Sequence, residues 1–252
     1  MRRFRSFDDT EIAYLDEGSG PAVLLLHGFA ADHELNWVAP GVVRALVESG
    51  RRVLAPDARG HGSSEKPTDP ARYAGGAMVE DARALLDHEG LVDVHVVGYS
   101  MGSMVASGLV PGEPRARSLV LGGIGDGAAQ GPPRENAGRI AAALLAEDAA
   151  TITDRLGRDF RAFADRTGAD RRALAAIQRA PNRVRRGRLE QVAVPTLVLV
   201  GNEDRLVGSA QGLADRIPDA RVRVIPGDHI TAVGGPAFRG AIVEFLDQLE
   251  PS

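Results

Sequence analysis

The chain has 252 residues, 44% hydrophobic and 25% charged, with 30 Gly, 15 Pro and no Cys. This is a globular composition, and it excludes a disulfide framework, a thiol nucleophile, an iron–sulfur cluster and a thiolate zinc site. A net charge of −4 does not point to nucleic acid, and the apolar runs are far shorter than the roughly 20 residues that span a bilayer. The basic start, Met1-Arg2-Arg3-Phe4-Arg5, is followed by no apolar segment. The expectation is therefore no secretory signal and a cytoplasmic location.

In chain order, Arg2 to Ser6 and Glu11 to Asp16 read as paired strands around the turn signal Asp8-Asp9. Ala22 to Leu26 is an unbroken apolar run, the form of a strand buried on both faces. Val42 to Glu48 reads as a helix stopped by Gly50. Arg52 to Ala55 reads as a strand ended by Pro56-Asp57. Helical periodicity over Gly76 to Glu89 ends at Gly90, Val94 to Val97 is a strand, and Met101 to Val110 is a helix closed by Pro111-Gly112. Ser118 to Leu121 is the next strand. The stretch Gly122 to Pro133 predicts a flexible connection, followed by Ala- and Arg-rich helices to about Ala180 and a loop marked by Pro181 and Gly187. The alternation then resumes with strand Thr196 to Val200, helix Ser209 to Arg216, strand Arg221 to Ile225 and helix Pro236 to Leu249.

Strand–helix repetition with apolar strands predicts an α/β fold, a mostly parallel, doubly wound sheet covered by helices on both faces. The interruption has its own charge sign. Residues 126–190 hold 13 Arg against 9 acids, and the rest holds 17 basic against 25 acidic residues. The expected division is thus a core of 1–125 and 191–252 with a helical cap of 126–190 inserted.

In open parallel sheets the reactive groups lie beyond the carboxyl ends of the strands. After the strand Val94 to Val97 comes Gly98-Tyr99-Ser100-Met101-Gly102, a G-x-S-x-G between strand and helix. A serine on so sharp a turn needs glycines on either side for strand and helix to approach. Its hydroxyl is a poor nucleophile and needs a histidine oriented by a carboxylate. Of six histidines, His88 at a helix end and His95 within a strand read as structural, whereas His229 follows Ile225-Pro226-Gly227-Asp228 onto a loop at the reactive edge. Asp204 follows Thr196 to Val200 onto the same edge. Ser100, Asp204, His229 is the Ser…Asp/Glu…His order of one hydrolase fold.

The chain resembles the α/β-hydrolase superfamily from end to end. Five elements carry the resemblance: Leu26-His27-Gly28-Phe29, Asp57-Ala58-Arg59-Gly60-His61-Gly62-Ser63, the Ser100 turn, Gly201-Asn202-Glu203-Asp204 and Gly227-Asp228-His229. The resemblance implies an oxyanion loop at His27-Gly28-Phe29, with the Phe29 and Met101 amides as donors and His27 holding the loop. It gives Asp57 to Ser63 a structural role in the turn after the fourth strand. Glu203 and Asp126 are alternatives to Asp204 as the acid, and Asp228 reads as a turn residue. Phe29, Trp37, Tyr99 and Met101 are candidate pocket walls, and Phe160 and Phe163 either face that pocket or seat the cap.

The implied chemistry is hydrolysis of a carboxylic ester, lactone or thioester of a small-to-medium molecule through an acyl-enzyme on Ser100, with no cofactor and no metal. Alternatives on the same three residues are C–C bond hydrolysis of dioxo acids and a cofactor-free perhydrolase; a receptor-like binding module is the alternative without turnover. The basic cap either attracts carboxylate-bearing substrates, or its helices dock on an acidic core or simply face water. The sequence leaves the oligomeric state open.

Overall fold

The computed structural model describes residues 1–129, 134–181 and 188–249. Its eight strands are β1 (Arg2–Arg5), β2 (Glu11–Glu17), β3 (Ala22–Leu26), β4 (Arg52–Pro56), β5 (Val94–Tyr99), β6 (Ala116–Gly122), β7 (Thr196–Gly201) and β8 (Ala220–Ile225). They form one sheet in the order β1-β2-β4-β3-β5-β6-β7-β8. β1 and β2 are antiparallel, β2 meets β4 antiparallel, and every pair from β4 to β8 is parallel. The α/β class read from the sequence is therefore correct, with an antiparallel edge on the parallel sheet.

Alternation along each strand divides the core into two layers. Leu24 of β3, Leu54 of β4, Val96 of β5 and Val198 of β7 face one side, where α2 (Ala77–His88) and α3 (Met101–Leu109) cover them. Val23, Leu25, Val53, Val97 and Leu199 face the other, under α1 (Val42–Glu48) and, at the far end of the chain, the C-terminal helix Pro236–Asp247. Each fully buried Val or Leu contributes about 1.5–3 kcal/mol. An uninterrupted apolar run is thus what a strand covered twice requires.

After β6, helix α4 (Asp126–Ala129) leads to α5 (Arg134–Leu145), α6 (Arg155–Thr167) and α7 (Arg171–Arg179). After β7 come α8 (Ala210–Ala214), α9 (Thr231–Gly234) and the C-terminal helix, α10. Asp148, Asp154 and Asp170 cap the helical segments that follow them through their carboxylates. Helices α5 to α7 pack on one another and on the loops after β3 and β4. The Thr167 hydroxyl donates to the Ala30 carbonyl at 3.1 Å, and the rings of Phe160 and Phe29 meet at 5.7 Å. Many of the basic side chains here pair within the same segment, Arg139 with Asp154 and Arg161 with Asp165.

The described part of the connection after β6, residues 122–129, is fastened to its neighbours and is not the flexible tether expected from its glycines. Gly123 N–H donates to the Leu199 carbonyl, Asp126 exchanges two hydrogen bonds with Ser209, and a Cβ at Gly125 would stand 2.5 Å from the Val207 carbonyl oxygen. Those glycines allow close packing against the chain between β7 and α8. Residues 130–133 and 182–187, the ends of the predicted connection and of the Pro181–Gly187 loop, lie outside the described residues.

Candidate active site

Ser100 sits between β5 and α3 with φ +51° and ψ −111°, one of three non-glycine residues with positive φ among the described residues. Such backbone costs about 1–3 kcal/mol and persists only where its surroundings dictate it. Ser100 N–H donates to the Gly122 carbonyl at 2.8 Å, and the Ser100 carbonyl accepts from Met104 N–H at 3.2 Å. A Cβ at Gly98 would stand 2.5 Å from the Gly102 carbonyl, and one at Gly102 would stand 1.9 Å from the Leu26 carbonyl oxygen. No side chain fits at either position.

The residues from β7 and β8 meet this serine. His229 Nε2 lies 2.9 Å from Ser100 Oγ, and its Nδ1 lies 2.7 Å from Asp204 Oδ2. A carboxylate can only accept, so Nδ1 carries a proton, and with Nδ1 as the donor Nε2 is the ring atom that can accept from the serine hydroxyl. The Asp204 side chain is fully buried, and its other oxygen accepts from Leu206 N–H at 3.0 Å. The loop bearing His229 is fastened to the loop bearing Asp204: Gly227 N–H donates to Asn202 Oδ1, and Glu203 N–H donates to the Gly227 carbonyl.

The loop after β3 lies against Ser100, for a Cβ at Gly28 would be 3.6 Å from Ser100 Cβ. Gly28 N–H donates to Asn36 Oδ1 at 2.7 Å, and the Gly28 carbonyl accepts from His27 Nδ1–H at 2.8 Å. His27 Nε2 accepts from Ala58 N–H at 2.9 Å, so this ring must be neutral, and burial pushes its pKa down accordingly. The Phe29 amide follows in this pinned loop. The Met101 amide is the first of α3 and has no acceptor within the helix. Asn36, on the helical turn Glu34–Val38, holds the Gly28 amide, and no sequence signal marks it, since a single Asn has neither motif nor period.

The turn after β4 supports this loop. Asp57 accepts from His33 N–H at 3.0 Å, from His33 Nδ1 at 2.8 Å and from Ser63 N–H at 2.6 Å. Despite burial, these donors hold the Asp57 carboxyl well below the usual range; the bond to Asp57 raises His33. Arg59 is fully buried between Asp81 and Asp8. His61 is buried edge-on to both His27 and Phe29, at 5.1 and 5.8 Å between ring centres.

Three predicted pocket walls are placed otherwise. Trp37 is fully buried in a helical turn (Glu34–Val38) that swings it to the opposite layer, where it stacks on Phe238 of α10. Tyr99 points into that same layer and donates its hydroxyl to the His229 carbonyl at 2.6 Å. Met101 is buried with Leu26, Met78 and Val105 around a cavity of about 30 Å³. Strand alternation and the start of α3 send these side chains into the core. Phe29 alone of the four is partly exposed, between His61 and Phe160.

The alternative acids also lie elsewhere. Glu203 is exposed, and Asp126 is engaged by Ser209 N–H. Asp228 closes the turn before α9, accepting from Ile230 N–H and Thr231 N–H, which hold its carboxyl below the usual range. His95 bonds Ser118, and His88 stacks on Phe4.

Residues 21–124 match the family described as alpha/beta hydrolase fold. Over 230 residues the chain is 31% identical to 2-hydroxymuconate semialdehyde hydrolase of Pseudomonas putida, spanning 83% of this chain and 80% of that one. It is 42% identical over 89 residues to epoxide hydrolase 2 of Siraitia grosvenorii, a match that spans 35% of this chain and only 27% of that protein. The solved structure of a thermophilic esterase from Thermogutta terrifontis superposes with a TM-score of 0.76 at 26% identity, covering 99% of both chains. A parallel sheet with a serine on a strand-to-helix turn defines the class, and the chain belongs to the alpha/beta hydrolase fold family. Among the described residues no helix is long and apolar enough to cross a membrane.

Proposed function

We propose that this protein is a serine hydrolase that transfers an acyl group from a small-to-medium carboxylic ester to water through an acyl-enzyme on Ser100. The observation that carries this reading is the continuous hydrogen-bonded line from Asp204 through His229 to Ser100. His229 Nε2 takes the hydroxyl proton as Oγ attacks the carbonyl carbon. The Phe29 and Met101 amides hold the oxygen that becomes negative, each worth about 3 kcal/mol in the transition state. His229 then hands its proton to the leaving alcohol. Water, deprotonated by the same ring, releases the acid and restores the serine. Asp204 stays ionised throughout, orienting the imidazole and stabilising its cation.

Likeness to an esterase over nearly the whole chain supports an ester as substrate. A second reading is favoured by the relative that matches over 230 residues, a semialdehyde hydrolase. In that reading His229 takes the hydroxyl proton as Ser100 attacks a ketone of a dioxo acid; the C–C bond then breaks to a carbanion stabilised by the remaining carbonyl, which takes up the proton from His229.

The test is labelling by a fluorophosphonate probe, followed by turnover of a p-nitrophenyl ester chain-length series and of a dioxo acid. Labelling that Ser100→Ala abolishes, with turnover of short esters, is the expected outcome. Labelling with turnover of the dioxo acid alone selects the second reading. Absence of labelling in the wild-type protein overturns both.

A further inference from the structure

We propose that Tyr99 is a positioning residue, whose hydroxyl ties the loop carrying His229 to the strand carrying Ser100 and thereby sets the distance between Nε2 and Oγ. This role rests on the reading of Ser100 and His229 given above. The problem that it solves is one of span. Ser100 stands at the end of β5 and His229 beyond the end of β8, with β6 and β7 between them. Three strand spacings amount to about 14 Å. The bonds from Asn202 and Glu203 fasten the His229 loop to its neighbour on β7. They carry it no closer to β5.

Tyr99 makes that link. It is the residue before Ser100, so its backbone moves with the nucleophile. Its ring lies 5.6 Å from the His229 imidazole, and its hydroxyl donates to the His229 carbonyl at 2.6 Å. The path crosses the end of β6, where the sequence places Gly122-Gly123. A Cβ at Gly122 would stand 2.9 Å from the Tyr99 ring, and one at Gly123 would stand 2.8 Å from it. The glycine pair, whose backbone also accepts from Ser100 N–H and donates to the Leu199 carbonyl, thus opens by its lack of side chains the slot through which the ring passes. Phe238 of α10 closes the slot edge-on at 5.5 Å. Burial and the charges of Asp204 and Asp228 push the phenol upward, so it remains a neutral donor.

The experiment compares Tyr99→Phe with wild type in three readouts: the rate of Ser100 labelling by a fluorophosphonate, kcat and KM on a p-nitrophenyl ester, and the thermal midpoint. Labelling rate and kcat are expected to fall about tenfold to a hundredfold, the scale of a misplaced reacting group, with KM changed by less than about twofold. Gly123→Ala, whose methyl would stand 2.8 Å from the ring, should reproduce the selective loss in kcat. A Tyr99→Phe protein with wild-type labelling and kcat overturns the proposal, as does one whose losses follow only its unfolded fraction. Ser100→Ala separates the two levels. If it is still labelled, the assignment of the nucleophile fails and the positioning role with it; if labelling is abolished while Tyr99→Phe is unaffected, only the positioning role fails.

Discussion

Gly102 and the Leu26 carbonyl are packed so closely that a Cβ on the glycine would lie 1.9 Å from that oxygen. The contact joins the first turn of α3 to the end of β3, bringing the loop of His27, Gly28 and Phe29 against Ser100. Both partners at this contact are backbone, so neither yields cheaply. Gly102→Ala is therefore expected to destabilise by more than about 2 kcal/mol. In a chain of this length that lowers the thermal midpoint by roughly 4–8 °C. Calorimetry checks it, and a shift under about a degree would show that the elbow can relax.

Asp204 and Glu203 are adjacent, but only Asp204 reaches the imidazole. Asp204→Asn keeps the shape and removes the charge, favouring the wrong tautomer of His229. Ester turnover should fall about a thousandfold to ten-thousandfold. Glu203→Gln should stay within about twofold of wild type, in line with a side chain in solvent. Steady-state kinetics on one ester decides between them; equal losses would reopen the choice of acid.

The turn after β4 is held by a charge cluster. Arg59 donates to both oxygens of Asp81 at 2.6 Å and to Asp8 at 2.9 Å. Arg59→Met leaves the Asp81 carboxylate buried without its cation, at a cost of about 3–5 kcal/mol. Adding Asp81→Leu removes the stranded charge, so the double variant should recover part of that loss. Urea unfolding of both proteins measures it. A double variant less stable than the single one would count against the cluster as the reason.

Stability should fall on acidification. Burial holds His61 down at about 3, and it lowers His27 as well. In the unfolded chain both titrate near 6.5. Between these values the unfolded chain binds protons that the folded chain refuses. The contribution is thus complete above about pH 6.5 and declines below it, by up to about 1.4 kcal/mol per pH unit for each ring. His33, raised by Asp57, works the other way: its contribution is present below the unfolded value and fades as pH rises through the folded one. Two fully buried rings should outweigh this half-buried one. The urea midpoint is expected to drop from pH 7 to pH 5, with a shallower slope in His61→Phe; a midpoint that rises toward pH 5 would contradict the assignment.

Much of the candidate site is legible in the chain. Ser100 is marked by the glycines that its turn demands, and His229 and Asp204 by their places after apolar strands. Those signals are local, because steric need at a turn writes itself into neighbouring residues. Trp37 and Tyr99 show where such reading stops. Both lie close in sequence to site residues, yet strand alternation and one irregular helical turn send them to the opposite layer. Asn36 was invisible for a related reason. Its partner, Gly28 N–H, is chosen by the path of the loop and by no spacing.

The sequence alone determined the layered α/β architecture and the chain order of the candidate residues Ser100, Asp204 and His229, since periodicity, breakers and turn chemistry act over a few residues. Tertiary structure decided which carboxylate meets His229, which aromatic rings leave the site for the core, and what the Gly122-Gly123 pair is for. Those outcomes depend on distances between strands far apart in the chain, and packing in three dimensions sets them.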